Sequence, residues 1–221
     1  MVRVICFDLS TLDEENWKNM LECASPERKH RAQQCRKEET AKQCILSEVL
    51  LHYGLSRQYG NVPNCTVRCT ETGKPMISEL PDFQFNLSHC GRWVAFAWSD
   101  RPVGIDVQIS KNEKPALVRR HFTQREQAYV FDGQDTAERA GRFCKIWTAK
   151  ESWLKCLGTG LTADLRSFDT LDGSLPVHFH WSELPGGYTL CSCGSYQEVF
   201  LEQLELSDLS DVCFPDLERR A

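Results

Sequence analysis

The chain has 221 residues, of which 41% are hydrophobic and 26% are charged, and its formal net charge at pH 7 is -5. This composition is close to that of ordinary globular domains, so it argues against disordered, collagen-like and coiled-coil classes. The acidic balance argues against a protein that binds nucleic acid or an anionic membrane through a broadly basic surface. Any anion site must therefore be local.

The cysteines and the start of the sequence indicate the compartment. Twelve cysteines are scattered along the chain, and the residues after Met1 lack the apolar stretch of a signal peptide. No apolar run reaches the roughly 18 residues that suggest a membrane span. We therefore predict a cytoplasmic location. Cys191-Ser192-Cys193 and His178-Phe179-His180 lack the C-x2-C spacing of zinc sites, so we interpret them as ordinary strand residues.

In the first hundred residues, apolar patterning predicts strands on either side of a helical region. Ser25 and Pro26 are typical of a helix start, and apolar residues four apart extend the helix to about Gly54, allowing one break. Four strands are predicted: 2–7, a half-buried 65–70, a half-buried 83–87 and a buried 93–98. A turn at 99–102 ends this half.

The second half begins with a strand at 103–108, in which Asp106 and Gln108 share one face because strand side chains alternate. The later predicted elements are a helix at 119–131, a long helix at 137–157 closed by Gly158, and strands of a second sheet at 177–181, 188–192 and 199–206. The chain thus divides into two mixed halves near Arg101-Pro102.

The long helix carries a charge within its apolar stripe. The stripe consists of Phe143, Ile146, Trp147, Trp153, Leu154 and Leu157. Lys150 lies in the middle of it, so its ammonium either passes the aromatic rings to solvent or meets an anion. Glu151 and Lys155 lie together on the flank, where an exposed helix pair without function is the alternative interpretation.

Several side chains could take part in phosphate chemistry with a hard metal ion. Asp106, Gln108 and Glu151 would supply too few ligands for an all-protein cage, which is typical of Mg²⁺ that is also bound by substrate phosphates. Lys74 in a Gly-Lys-Pro turn, the Ser88-His89 pair and the basic segment 28–37 add groups that can bind anions. Each alone is also compatible with an ordinary surface turn or strand end.

The blocks VGIDVQ at 103–108 and WTAKESWLKCLG at 147–158 resemble two signature blocks of the Sfp-type 4'-phosphopantetheinyl transferase family. FNLSHCGRWV at 85–94, GKP at 73–75 and SPER at 25–28 resemble its upstream blocks. The order and spacing match over about residues 1–165. Because several blocks match together, the resemblance is specific.

The resemblance implies a pseudo-dimeric α+β fold of two similar halves, each with a small sheet and a long helix. We expect an N-terminal half at 1–101 with coenzyme A nucleotide-binding groups, a C-terminal half at 102–221 with the metal and catalytic helix, and an active site in the cleft between them. The implied reaction moves the phosphopantetheine arm of coenzyme A to a serine of an apo acyl, peptidyl or aryl carrier protein and releases adenosine 3',5'-bisphosphate. A monomer is expected, and the carriers could serve fatty acid, polyketide or nonribosomal peptide synthesis.

The resemblance also implies roles for individual residues. The implied catalytic residues are Glu151, Lys155, Asp106 and His89. The implied Mg²⁺ ligands are Asp106, Glu151 and, through water, Gln108. The implied coenzyme A ligands are Arg28, Arg31, Lys74, Ser88, His89, Lys150 and Lys155. Many relatives have a second carboxylate where this chain has Gln108, so one negative charge fewer is expected at the metal.

Two other interpretations remain open on the sequence alone. A different Mg²⁺-dependent phosphoryl enzyme would use Asp106 and Glu151 without a protein acceptor. A non-catalytic carrier-binding module would have a decayed site, but Asp106, Glu151 and Lys155 are all present.

Overall fold

The computed structural model describes residues 1–111, 114–160, 164–209 and 212, so the end of the predicted C-terminal half lies outside the described residues. The described part has the predicted mixed α+β architecture. Its helices are α1 (Glu14–Cys23), α2 (Pro26–Gln33), α3 (Glu38–Tyr59), α4 (Pro115–His121), α5 (Gln124–Phe131) and α6 (Thr136–Leu157). Its strands are β1 (Val2–Asp8), β2 (Val67–Cys69), β3 (Pro75–Ile77), β4 (Gln84–Cys90), β5 (Trp93–Ser99), β6 (Val103–Ile109), β7 (His178–Leu184), β8 (Tyr188–Gly194) and β9 (Val199–Leu204).

The strands form two sheets and a separate hairpin. The first sheet has the order β4-β5-β1-β9, the second has the order β6-β8-β7, and β2 pairs with β3. All pairs are antiparallel except β1 with β9, which run parallel. The strand β9 was predicted to join the second sheet, and this is wrong: β1 has β5 on one side, and β9 occupies its other edge.

The helix boundaries also differ from the sequence prediction. The helix predicted at 119–131 is two helices, because Phe122 is extended and Thr123 begins α5 with a capping box. The break allowed in the first helical region lies between α2 and α3. Helix α1 was not predicted, since its buried face consists of Met20 alone. Strand β2 is exposed rather than half-buried.

The core forms layers that fix the position of α6. On one face of the first sheet, residues such as Ile5 and Phe96 pack against α3. The opposite face packs against β6 and β8 through residues such as Val4 and Ile105. Helix α6 covers the other side of β6. The contact is closest at Gly104, where an added Cβ would lie 1.9 Å from the Ser152 carbonyl oxygen. The face of β6 that carries Gly104 and Asp106 therefore lies under α6.

None of the helices in the described ranges is long and apolar enough to cross a membrane. Cys191 and Cys193 are buried in β8, as expected for strand residues.

Candidate active site

Asp106, Ser88 and Lys155 form one hydrogen-bonded group where β4, β6 and α6 meet. Lys155 Nζ donates to Asp106 Oδ1 at 2.7 Å, to Ser88 Oγ at 3.1 Å and to the Ile105 carbonyl oxygen at 3.1 Å. Ser88 Oγ donates to the same Asp106 oxygen at 2.9 Å. The Lys155 ammonium thus neutralises the buried strand carboxylate through a short, charge-assisted contact.

Glu151 lies one helical turn before Lys155 and borders two adjoining cavities. One cavity, of about 320 Å³, lies between the β2–β3 hairpin and the end of α6. The other, of about 380 Å³, follows the ends of β4 and β6 and is lined by Asp106 and Gln108. Leu87, Glu151 and Lys155 line both cavities. The structure therefore brings the two predicted carboxylates and the predicted lysine to one cleft.

The environment of Glu151 changes its acidity. Burial, followed by the negative charge of Asp106, raises the pKa of the Glu151 carboxyl above its ordinary value, and the charge of Lys155 only partly opposes this. The Glu151 carboxylate makes no hydrogen bond to any described residue. A carboxylate with a raised pKa and free oxygens can accept a proton more readily near neutral pH than an ordinary glutamate can.

Gln108 lines the second cavity on the same face of β6 as Asp106, but its oxygen has a partner. The Cys90 thiol donates to Gln108 Oε1 at 3.0 Å. Burial raises the pKa of the Cys90 thiol, so the sulfur keeps its proton and can act as that donor. Direct metal ligation by Gln108 would therefore compete with Cys90 for the amide oxygen.

His89 follows Ser88 and is exposed at the mouth of the second cavity. Partial desolvation within the cleft, followed by the positive charge of Lys155, lowers the pKa of His89, and Asp106 opposes this shift. The ring is therefore mostly neutral at pH 7, with one nitrogen able to donate and the other able to accept.

Lys74 lines the first cavity and also caps α6. Its Nζ donates to the Cys156 carbonyl oxygen at 2.8 Å, and Thr72 Oγ1 donates to the Gly158 carbonyl oxygen. These carbonyls belong to the end of the helix, where no intrahelical donor remains. Burial lowers the pKa of Lys74. The β2–β3 hairpin is thus fastened to the helix that carries Glu151 and Lys155.

Lys150 does not reach the cleft. Its side chain is fully buried and lines neither cavity. Lys150 Nζ lies 2.9 Å from Glu126 Oε2 and donates to the Leu165 and Phe168 carbonyl oxygens at 2.6 and 2.9 Å. All three ammonium protons are therefore used within the protein. This placement corrects the prediction that Lys150 binds phosphate: the anion that it meets is Glu126.

Arg28 and Arg31 lie on α2, which packs against α3, and neither lines the two cavities. Arg31 is exposed, and Arg28 Nη1 lies 4.0 Å from Cys44 Sγ. The structure thus does not bring them together with Asp106. Their contact with the nucleotide phosphates stays a prediction.

The donor set of the cleft suits a hard divalent cation. The carboxylates of Asp106 and Glu151 are oxygen ligands of the kind that Mg²⁺ prefers, and the remaining positions would go to water and substrate phosphates. Within the described ranges, no three His, Cys, Asp or Glu side chains form a metal cluster. The described protein therefore offers a pair of carboxylates rather than a complete cage.

Two residues that shape this region were not predicted from the sequence. Asn86 Oδ1 accepts from the Ile105 backbone N–H at 3.0 Å, and an amide within an apolar strand was its only signal. Glu126 could have been recognised as the third residue of a capping box that begins at Thr123. Its pairing with Lys150 could not have been recognised from the sequence, because the two residues are 24 positions apart and lie on different helices.

Two family models match consecutive parts of the chain. The model described as 4'-phosphopantetheinyl transferase, N-terminal, matches residues 11–101, and the model of the 4'-phosphopantetheinyl transferase superfamily matches residues 102–190. The chain is 32% identical to the 4'-phosphopantetheinyl transferase Sfp of Bacillus subtilis (strain 168) over 191 residues, which cover 84% of this chain and 82% of that protein.

The chain belongs to the Sfp-type 4'-phosphopantetheinyl transferase family. It is also 30% identical to the 4'-phosphopantetheinyl transferase ffp of Bacillus subtilis over 84% of this chain and 82% of the relative. A Xenopus laevis L-aminoadipate-semialdehyde dehydrogenase-phosphopantetheinyl transferase is 28% identical over 71% of this chain and 56% of the relative.

Family membership confirms the predicted fold and activity. The part matched by each model contains strands and one 22-residue helix, α3 in the first and α6 in the second, as expected for the pseudo-dimeric α+β fold. The enzyme transfers 4'-phosphopantetheine from coenzyme A to carrier proteins.

Proposed function

We propose that the transfer takes place in the cleft bordered by Asp106, Glu151 and Lys155. One observation carries this proposal: two carboxylates and an ammonium from β6 and α6 line the same cavity, and the pKa of one carboxylate is raised. Asp106 and Glu151 would hold Mg²⁺ together with the coenzyme A pyrophosphate. Bound there, the ion would neutralise charge on the phosphate oxygens.

Glu151 is the proposed general base. Its carboxylate takes the proton from the hydroxyl of the carrier serine, directly or through one water, as that oxygen attacks the phosphorus. In the protein without a metal ion, burial and the charge of Asp106 raise the pKa of this carboxyl, which makes it a better proton acceptor than an ordinary glutamate.

Lys155 is the proposed acid and electrostatic partner. Its ammonium donates to Asp106, Ser88 and Ile105, so it would release one of these contacts in order to donate to a phosphate oxygen at the mouth of either cavity. It would stabilise the negative charge that collects on the departing adenosine 3',5'-bisphosphate and can supply its proton.

We assign nucleotide binding to the N-terminal half, residues 1–101. His89 and Lys74 line the cavities, and the neutral His89 ring can donate one hydrogen bond to a phosphate oxygen. Arg28 and Arg31 would bind the 3'-phosphate from α2. Gln108 would contribute through water, since its oxygen already accepts from Cys90.

The carrier proteins that are modified, the compartment and the oligomeric state belong to the same proposal. The expected clients are apo acyl, peptidyl or aryl carrier proteins, including those of nonribosomal peptide and polyketide synthases. We expect the enzyme to act as a cytoplasmic monomer, since each chain would carry both halves of the site.

Intact-mass spectrometry tests the proposal. The protein is mixed with coenzyme A, Mg²⁺ and apo carrier proteins of the acyl, peptidyl and aryl types, with EDTA in parallel samples. We expect a mass gain of one phosphopantetheine on a carrier, and its loss in EDTA. Nucleotide turnover without a carrier would favour a different phosphoryl enzyme. Coenzyme A binding with no transfer to any carrier would favour a non-catalytic module.

A further inference from the structure

A cavity of about 310 Å³ lies at one end of the first sheet, away from the transfer site. Its walls come from the start of β1, the end of α3, the segment between β3 and β4, and the end of β5. It shares no lining residue with the two cavities of the candidate active site. Its volume is in the range of small-molecule sites. We call it the sheet-end cavity; the lining residues that decide its chemistry are Arg3, Asp82, Phe83, Trp98 and Asp100.

Two neighbouring donors line this cavity. Arg3 on β1 is matched with Trp98 on β5, and matched side chains lie on the same face of a sheet. Trp98 is 3% exposed, and its Nε1 has no hydrogen-bond partner among the described residues. The half-buried Arg3 guanidinium makes no hydrogen bond or ion pair with any described residue. Both groups can only donate, so they favour a ligand that brings an acceptor.

Two carboxylates line the same cavity. Asp82 and Asp100 are both exposed, and the Asp82 carboxylate makes no hydrogen bond or ion pair with any described residue. Asp100 Oδ1 accepts from the Ser99 hydroxyl at 3.1 Å. These carboxylates would oppose a ligand that carries only negative charge. The ligand that fits this cavity therefore carries a cationic group as well as an acceptor.

An aromatic wall completes the cavity. Phe83 is buried, and its ring centroid lies 6.0 Å from that of the exposed Tyr59. The Phe96 ring lies 6.4 Å from Phe83 and 5.5 Å from Trp98, so the wall is part of one packed aromatic cluster. Apolar walls with a few polar groups at fixed places are typical of sites for small molecules. The wall favours a ligand with an apolar body.

We propose that the sheet-end cavity binds a zwitterion with an apolar body, namely an amino acid with an aromatic or large aliphatic side chain. Its carboxylate accepts from Arg3 and from the Trp98 indole N–H. Its ammonium pairs with Asp82 and Asp100, and its side chain packs against Phe83. Because the cavity is separate from the transfer site, this inference does not depend on the proposed function.

Nuclear magnetic resonance titrations of the full chain test the proposal with three probes. L-Phenylalanine has both charges, hydrocinnamate lacks the ammonium, and phenethylamine lacks the carboxylate. We expect saturable binding of L-phenylalanine with a Kd in the millimolar range, and binding at least about fivefold weaker for each analogue. The indole N–H signal of Trp98, assigned by its absence in Trp98→Phe, should move as L-phenylalanine is added.

Variants then assign each charge of the ligand to its partner. Arg3→Gln removes the guanidinium and should raise the Kd of L-phenylalanine about tenfold. Arg101→Gln is the matched control, because Arg101 is exposed and lines the neighbouring cavity but not this one. Asp82→Asn should weaken the binding of L-phenylalanine and leave that of hydrocinnamate unchanged or tighter.

Several results would overturn the proposal. One is the absence of saturable L-phenylalanine binding up to about 10 mM. Another is equal binding of L-phenylalanine and either analogue, which would mean that only one charge is recognised. A third is an equal loss of binding in Arg3→Gln and Arg101→Gln, which would place the ligand elsewhere. If Arg3→Gln does not fold, Arg3→Lys and the exposed Asp82→Asn replace it, and unchanged L-phenylalanine binding in both would refute the proposal.

Discussion

Two acidic residues of the cleft have different surroundings. Lys155 Nζ lies 2.7 Å from Asp106 Oδ1 and neutralises that carboxylate. The Glu151 carboxylate makes no hydrogen bond to any described residue, and its pKa is raised. Different environments allow two carboxylates to perform different tasks at one pH. Asp106, already in contact with an ammonium, is suited to hold a cation, and Glu151 is suited to accept a proton.

Replacing Glu151 tests this division of tasks. Glu151→Gln keeps the size of the side chain but removes its ability to take a proton. We expect turnover to fall by about 100-fold or more, with a much smaller change in coenzyme A binding. The matched control is Glu138→Gln, in the first turn of the same helix, where the side chain pairs with Arg142 and lines neither cavity. Near-normal turnover in Glu151→Gln would show that Glu151 is not the base.

Gln108 would set the charge of the proposed metal site. Gln108→Glu adds a second strand carboxylate beside Asp106, so we expect a lower Mg²⁺ concentration at half-maximal rate. Gln108→Ala should raise that concentration only modestly, because the amide oxygen already accepts from Cys90. Activity titrations against Mg²⁺ measure both. An unchanged metal requirement in Gln108→Glu would mean that this side chain does not face the ion.

At the scale of elements, a buried ion pair fastens the segment 165–170 to α6. Lys150 and Glu126 are both fully buried, and Glu126 Oε1 also accepts from the Thr170 N–H and hydroxyl at 2.9 Å. Because each charge depends on the other, removing one leaves an uncompensated ion in the core. This pair joins α5, α6 and the segment 165–170 within the core, so its role is in the fold around α6.

Lys150→Met tests that role. We expect urea unfolding to show a loss of about 3–5 kcal/mol, because Glu126 stays buried without its partner. The double variant Lys150→Met with Glu126→Gln should recover part of this loss. Lys42→Met, which breaks the exposed pair with Glu38, is the control and should have a much smaller effect. A large rise in the Kd of coenzyme A with stability unchanged would instead return Lys150 to the phosphate site.

Local patterns were sufficient to predict most elements and the central residues of the cleft. The alternation in VGIDVQ predicted that Asp106 and Gln108 share a face, and both line the same cavity. Helical periodicity predicted that Lys150 lies among apolar side chains, but it could not reveal Glu126 as the partner, since that contact joins two helices. The sequence also could not show which sheet β9 joins, because the partner of β9 depends on which strand edge remains free after the other strands have paired.

At the scale of the whole molecule, β9 links the two halves. It comes from the end of the second half but pairs with β1 in the first sheet, where Leu204 belongs to the core beneath α3. The two halves therefore share a core, and we expect them to unfold together.

Leu204→Ala tests this coupling. Removing a buried leucine side chain should lower the free energy of unfolding by about 2–5 kcal/mol and shift one single transition, seen alike by near-UV and far-UV circular dichroism. Phe200→Ala on the same strand is the control, since Phe200 is 51% exposed. Two resolved transitions, with only one shifted, would show that the halves are independent.

The parallel pairing of β1 with β9 has a consequence for synthesis on the ribosome. Val2 is matched with Val199, so β1 must wait for nearly 200 further residues to be synthesised before its second edge is covered. Until then, the nascent chain presents an apolar strand edge that can pair with other chains. Completion of the first sheet therefore comes long after β1 has been synthesised, and the growing polypeptide is expected to depend on chaperones until β9 has been made.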